Sequence, residues 1–530
     1  MSNMRQIRVD WAPHRSKKQI MSNPEIPLFD LLVVGGGING CGIAADAAGR
    51  GLSVILAEEN DLAGATSSAS SKLIHGGLRY LEHYEFRLVR EALGEREVLL
   101  DKAPHMIWPL RFVLPHMPGL RPKWMLRSGL FLYDHLHRRA RIPGSTSVDL
   151  RKDPSGRPLK SEFSSGFDYW DCWVDDARLV LANAMAARNA GARILTRTKA
   201  TGFRSEHGLW HATLRARDGT EERVRARALV NAAGPWVADV DRASGTGTVE
   251  HNKASVRLVK GSHLVVPRIP GADSAYILQS PDKRVVFVLP FEERFTIIGT
   301  TDVPYDGDPR SVACTPEEDA YLRELVGRFF KAPVAASDVL WRYSGVRPLY
   351  DDASADPSAV TRDYVLTLTH TTDRAPRLSV YGGKITTYRC LAEDALAKLL
   401  PEVTGIAPRG PWTAKVPLPG GDLPDGDFEK FHAALVAKYP AFDPLHLRRL
   451  ARRHGSLVTT VMGDARSPAD MGEDFGDGLF GREVAYMKQR EWVVAPDDIL
   501  FRRTKLGVHH LATRTADERA QIAERLARSL

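Results

Sequence analysis

"DLLVVGGGINGCGIAADAAGRGLSVILAEEN", Asp30 to Asn60, decides the fold. Leu31 to Val34 is a short continuous apolar run, the pattern of a parallel strand buried on both faces. Gly35-x-Gly37-x-x-Gly40 follows directly, then a helix of small residues from Cys41 to Ala48 whose alanines allow close packing on a sheet. Gly49 and Gly51 end that helix, Ser53 to Ala57 reads as the next strand, and Glu58 closes it. A glycine triplet alone carries little weight. Between a strand and a helix, with an acidic residue ending the second strand, it meets the context of a dinucleotide-binding turn. Gly35 and Gly37 let the backbone approach a pyrophosphate where free N–H groups and the helix dipole favour anions. Glu58 is placed to accept from the adenosine ribose hydroxyls.

Further pieces of the same sheet come much later. "DDARLVLANAMAARNAGARILTRTKA" reads as a helix capped by Asp175 and stopped by Gly191, then a strand from Arg193 to Thr198. "RALVNAAGPWVADV" holds a buried strand, Ala228 to Asn231, and a small-residue turn at Ala232–Gly234. "RLSVYGGKITTYRCLAEDALAKLL" reads as a strand, a Gly382-Gly383 turn and a helix from about Thr386. The sequence therefore predicts an α/β fold with a discontinuous Rossmann-like dinucleotide domain over 28–84, 171–244 and 346–407. The intervening 85–170 and 245–345, with "SHLVVP", "RVVFVLPF" and "FTIIGTTD", read as an α+β substrate domain. After the Pro- and Gly-rich "RGPWTAKVPLPGGDLPDGD", helical periodicity predicts an all-helical, basic domain over 408–530. Residues 1–27 read as a basic tail, and the second "MSN" at Met21 as an alternative start.

The chain of 530 residues has 43% hydrophobic and 26% charged residues, as expected of a globular protein. Cys41, Cys172, Cys314 and Cys390 are widely spaced, which argues against a disulfide framework, a metal site or an iron–sulfur cluster. No apolar run approaches the length of about 18 residues that spans a bilayer. The formal charge of +8 favours anionic partners.

"TSSASSKLIHGGLRYLE", Thr66 to Glu82, is too polar for a core segment. Hydroxyls, backbone N–H groups and Lys72 are suited to surround a pyrophosphate, so Thr66, Ser67, Ser68, Ser70, Ser71, Lys72 and His75 are expected at the cofactor. Arg79 and Tyr80, past Gly76-Gly77, are expected to face the substrate. The glycine motif, this segment, "NAAGPWV", "VKGSHLVVP", "IIGTTD", "SGVRPL", "TRDY", "YGGKITTYR" and "DDILFRRTKLG" occur together and in order. In this the chain resembles the FAD-dependent, respiratory glycerol-3-phosphate dehydrogenase family from about residue 28 to 520.

The resemblance implies a D-amino-acid-oxidase-like fold and non-covalent FAD. It implies oxidation of sn-glycerol 3-phosphate to dihydroxyacetone phosphate, with hydride transfer to flavin N5 and electrons passed to membrane quinone. It also implies a homodimer, peripheral on the inner face of the cytoplasmic membrane. Gly35, Gly37, Gly40, Glu58, Gly76, Gly77, Ala200, Ala233, Gly234, Trp236, Gly383, Lys384, Ile385 and Thr386 join the expected cofactor contacts. Arg79, Tyr80, His263, Arg347 and Arg362 take substrate positions. Arginine suits a phosphate because the planar guanidinium matches its oxygens bidentately. His263 is favoured as the base, with Arg347 polarising the same oxygen and Lys384 touching flavin or substrate. The helix after Gly383 is suited to direct its dipole and the Thr386–Thr387 amides at the flavin. Two rival readings stand beside this one: an FAD-dependent amine or amino-acid oxidase, and a non-catalytic flavin-binding regulatory protein. Nucleic-acid binding is disfavoured, since the basic residues lack interleaved aromatics or a nucleic-acid motif. "RPKWMLRSGLFLYDHLHRRARIP", Arg121 to Pro143, reads as a basic apolar helix able to lie on a bilayer.

Overall fold

The computed structural model describes residues 26–117, 122–245, 255–280, 284–351, 363–403, 405 and 407–530. The expected tail lies outside these apart from Ile26 and Pro27, as do Arg362 and Arg121.

Two sheets, of eight and ten strands among the described residues, form the body. In the first, Leu28–Val34 lies between Glu221–Asn231 and Val54–Ala57, parallel to both. Pro376–Tyr381 and Arg193–Leu195 extend it in parallel on either side. Val365–His370 closes one edge antiparallel, and a meander of Thr198–Glu206 and Leu209–Ala216 leads into Glu221–Asn231. Leu31 to Val34 and Val54 to Ala57 are buried throughout, as a strand covered on both faces must be. The helix after the glycine turn runs from Ile38 to Gly49, one turn earlier than expected, because Gly37 serves as its N-cap. It packs on helices Asp176–Asn189 and Tyr388–Leu399. Asp175 caps the second helix by accepting from the Arg178 N–H. A single turn of 3-10 helix, Ile385–Thr387, precedes the third, which starts at Tyr388 rather than Thr386.

The second sheet, here called the roof, meets the first through Trp341–Asp351, which contacts Pro376–Tyr381. Its order is Val303–Pro304, Ser255–Pro267, Phe295–Gly299, Val285–Phe291, Ala275–Gln279, Ile107–Pro115, Ser165–Val174 and Leu73–Ile74. Trp341–Asp351 runs antiparallel along Ser255–Pro267. The segment boundaries expected from sequence are crossed three times, by Leu73–Ile74, by Ser165–Val174 and by Trp341–Asp351. Sheet pairing, which local pattern does not specify, draws these strands into the second sheet and brings Val174, Tyr343 and Val346 against the Thr66–Lys72 turn.

From Phe428 the chain is helical, with its own core of Phe431, Leu447, Leu450, Met462, Phe475, Met487 and Leu526. This matches the expectation for the C-terminal segment.

Candidate active site

Gly35 adopts φ +110°, and a Cβ there would stand 2.4 Å from the Ala232 carbonyl oxygen. A Cβ at Gly40 would stand 2.0 Å from the Gly35 carbonyl oxygen. The turn is therefore packed against the Ala232–Gly234 turn on one side and its own helix on the other, and only glycine fits. Glu58 closes it, accepting from the N–H of Gly36 at 2.6 Å and of Asn60 at 2.7 Å. Burial pushes its carboxyl up, against the lowering effect of those two bonds. Ala200 lies two residues beyond Thr198, whose N–H donates to the Glu58 carbonyl. The Arg310 guanidinium lies 5.1 Å over the Trp236 ring just past Gly234.

The Thr66–Lys72 turn is tied to its surroundings residue by residue. Thr66 Oγ1 donates to the Val346 carbonyl at 2.6 Å, and Ser67 Oγ accepts from the Ile38 N–H at 3.0 Å, where the glycine-turn helix begins. Ser68 Oγ turns back to the Ala65 carbonyl. Ser70 Oγ donates to Asp176 at 2.8 Å, and Ser71 Oγ lies 2.8 Å from His263 Nε2. Lys72 is placed differently from the expectation. It is only 2% exposed, and its ammonium donates to both oxygens of Asp176, at 2.8 and 2.9 Å, and to the Ser68 carbonyl. A buried ammonium must be paired, and here a carboxylate of the protein is the partner.

Beyond the turn, the His75 N–H lies 3.2 Å from Thr386 Oγ1. Gly76 donates to Tyr133 Oη, which donates in turn to Asp171. Gly77, at φ +76°, starts the 3-10 helix Leu78–His83, and a Cβ there would meet the Tyr80 ring at 2.2 Å. Lys384 lies 3.7 Å from the centre of that ring. Arg79 is half-buried on the same turn, and its side chain makes no hydrogen bond or ion pair among the described residues. The Gly382-Gly383 turn meets the glycine-turn helix through Asn39 Nδ2, which donates to the Gly382 carbonyl at 3.1 Å.

His263 and Arg347 come from the two paired strands of the roof. The His263 ring stacks on Tyr343, with centroids 4.7 Å apart and planes 5° apart. A Cβ at Gly299 would stand 2.1 Å from His263 Cδ2, so glycine there leaves room for the ring. Gly299 also pairs with Phe287, whose ring meets His75 edge-on, which joins the His263 cluster to the His75–Lys384 cluster. Burial, the Lys72 ammonium and the Arg347 guanidinium lower the His263 pKa to about 3, so the ring is neutral at ordinary pH. Arg347 donates to the Thr301 carbonyl and Asp302, each at 3.2 Å.

FAD fits this arrangement. Asn39 Oδ1 on the glycine-turn helix, Trp236 Nε1 beside the Ala232–Gly234 turn and His263 Nδ1 beside Ser71 are buried without a hydrogen-bond partner among the described residues. A Cβ at Gly37 would meet only Ser67 Oγ, at 3.1 Å, and one at Gly234 nothing within 4 Å, so the backbone is open where a pyrophosphate would lie. The residues that sequence reasoning missed are Asp175, Asp176, Tyr133, Asp171 and Tyr343. The signal for two of them was in plain view: paired carboxylates after a strand, read only as a helix cap.

A model described as "FAD dependent oxidoreductase" matches residues 30–389, and one described as "C-terminal domain of alpha-glycerophosphate oxidase" matches 411–530. The chain is 53% identical over 493 residues to a glycerol-3-phosphate dehydrogenase of Pseudomonas aeruginosa, covering 93% of this chain and 94% of that one. It is 50% identical over 507 residues to a D-erythritol 1-phosphate dehydrogenase of Brucella abortus, covering 95% and 98%. Among solved structures, the glycerol-3-phosphate dehydrogenase of Bacillus halodurans complexed with FAD superposes with a TM-score of 0.72 at 29% identity, covering 95% and 94%. With glycine turn, roof and helical domain all shared along nearly the whole length, the chain belongs to the FAD-dependent glycerol-3-phosphate dehydrogenase family.

Proposed function

We propose that the chain oxidises sn-glycerol 3-phosphate to dihydroxyacetone phosphate and delivers the electrons to a membrane quinone. The observation that carries this reading is the placing of a neutral histidine, His263, and an arginine, Arg347, on paired strands that contact the Thr66–Lys72 turn through His263, Tyr343 and Val346. Arg347 and Arg79 hold the substrate phosphate, which fixes the hydroxyl-bearing carbon 2 relative to His263. When bound, FAD supplies the two-electron acceptor, at flavin N5, for the hydride leaving carbon 2. The His263 imidazole takes the hydroxyl proton, its ring held by Ser71 and Tyr343. A phosphate dianion at Arg347 offsets one of the charges that depress the imidazole, so its basicity rises when substrate is in place. Lys384 and the helix beginning at Tyr388 present positive charge and dipole to the same site.

A second reading within this chemistry is a longer polyol phosphate. It is favoured by the 50% identity to the D-erythritol 1-phosphate dehydrogenase along 98% of that protein. Anaerobic bleaching of the bound flavin decides between them. Glycerol 3-phosphate should bleach it at low concentration, whereas bleaching by D-erythritol 1-phosphate alone would reassign the substrate.

The same reading places the protein on the inner face of the cytoplasmic membrane. Helix Lys123–His135 exposes Trp124 (68%), Met125, Phe131 (56%) and Leu132, and its basic neighbours suit anionic lipid. On its buried side Tyr133 holds Gly76, so the helix is tied directly to the cofactor turn. Among the described residues no helix is long and apolar enough to cross a membrane. Trp124→Glu with Phe131→Glu should abolish vesicle binding and quinone reduction while a soluble dye is still reduced; unchanged vesicle binding would refute the placement. The reading includes a homodimer, which sedimentation equilibrium tests.

A further inference from the structure

The segment Asp497–Gly507 carries charge into the interior. Arg503 donates to both oxygens of Asp61, at 2.6 and 2.8 Å, and to the Glu491 carbonyl. Arg178 of the cofactor domain pairs with both oxygens of Glu491, at 2.9 Å each. These contacts bind the C-terminal domain to the body. Lys505 does something different. Its ammonium, buried, donates to Asp175 at 2.6 Å. Asp175 is followed by Asp176, whose carboxylate accepts from Lys72 and from Ser70 Oγ. Lys72 in turn donates to the Ser68 carbonyl through its side chain and to Ser70 Oγ through its backbone, and Ser71 meets His263.

Lys505, Asp175, Asp176 and Lys72 thus form two adjoining ion pairs whose net charge is zero, with Asp175 partly exposed and the other three buried. Both lysines sit in the left-handed region, Lys505 at φ +61° and Lys72 at φ +57°, a conformation that side chains other than glycine's adopt only where the surroundings impose it. The N-terminal end of helix Asp176–Asn189 packs between the Thr66–Ser68 turn and the Asp498–Arg503 turn, so the cluster lies between them. Buried charges tolerate no unpaired member. Without Lys505, two adjacent carboxylates face Lys72 alone, and the position of its ammonium between Asp176 and the Ser68 carbonyl is no longer balanced.

We propose that Lys505, from the C-terminal domain, is a positioning residue for the cofactor turn. Acting through Asp175 and Asp176, it holds Lys72 and the Ser67–Ser71 turn in the arrangement that caps the glycine-turn helix and carries Ser71 to His263. The C-terminal domain is thereby part of the cofactor site without touching the cofactor.

The test needs no turnover. Hydrogen–deuterium exchange of the full-length apoprotein is compared between parent and Lys505→Met, alongside FAD titration by fluorescence quenching. Exchange across 66–74 should quicken at least tenfold, and FAD should bind about tenfold more weakly, the scale of one lost charge-assisted bond. The charge-balanced Lys505→Met/Asp175→Asn should restore most of the protection at 66–74, because asparagine still caps the helix and no carboxylate is left unpaired. A folded Lys505→Met whose exchange rises only at 498–513, with 66–74 unchanged, overturns the proposal and leaves Lys505 as domain glue. So does a double variant that restores nothing. Lys505→Gln, which keeps a donor at Asp175, is read by the same criteria should Lys505→Met fail to fold.

Discussion

Replacing Lys72 with methionine separates two accounts of the polar turn. If the ammonium serves the cofactor phosphates, the apoprotein hardly notices its loss. If it serves Asp176, the apoprotein pays at once. The structure puts the side chain at 2% exposure with both Asp176 oxygens within 2.9 Å, and Asp176 itself fully buried. Removing one partner of a buried ion pair costs about 3–5 kcal/mol. Asp176 keeps Ser70 Oγ and the Ala177 N–H, which places the expected loss near the lower end, about 3 kcal/mol. The assay is denaturant unfolding of FAD-free protein followed by far-ultraviolet circular dichroism, with FAD affinity measured separately. Lys72→Met/Asp176→Asn should recover a substantial part, since the orphaned charge is then gone. Apoprotein stability within about 0.5 kcal/mol of the parent, together with a tenfold or greater loss of FAD affinity, would refute the structural account and return Lys72 to the cofactor.

Gly40→Ala should give a colourless protein, because its Cβ would stand 2.0 Å from the Gly35 carbonyl; Gly37→Ala, which meets only Ser67 Oγ, should fold normally and lose FAD affinity, as flavin content after gel filtration will show. Arg347→Lys should lower kcat/KM for glycerol 3-phosphate roughly ten- to a hundredfold, at 1.5–3 kcal/mol per charge-assisted bond, while the feeble rate with glycerol hardly changes. Burial, then the nearby side chains of Arg178, His454 and Arg452, lowers the His105 pKa from 6.5 to about 3. The unfolded chain therefore binds a proton that the folded one refuses. This stability contribution is complete above pH 6.5 and is lost as pH falls toward 3, by about 1.4 kcal/mol per unit. His105→Gln should flatten the acid side of the melting-temperature profile.

What the sequence determined by itself is local. Leu31–Val34, the glycine spacing and Glu58 specify strand, turn and strand end through burial and sterics that act within about thirty residues, and the structure has them where the pattern puts them. Asp175 as a cap and the helical C-terminal segment were legible for the same reason. Pairing across the chain was not. Lys72 finds Asp176 104 residues away, Ser71 finds His263 at 192, and Lys505 finds Asp175 at 330. Nothing in the run "SSASSKL" says whether its lysine turns outward to a phosphate or inward to a carboxylate, because the answer depends on which helix start packs beside it. The strand Trp341–Asp351 likewise joined the roof because its partner Ser255–Pro267 offered a long antiparallel register, and that register alone placed Arg347 on the strand beside that of His263. Desolvation supplies the physical reason: a charge taken out of water must find its counter-charge, and the tertiary fold decides which residues are within reach.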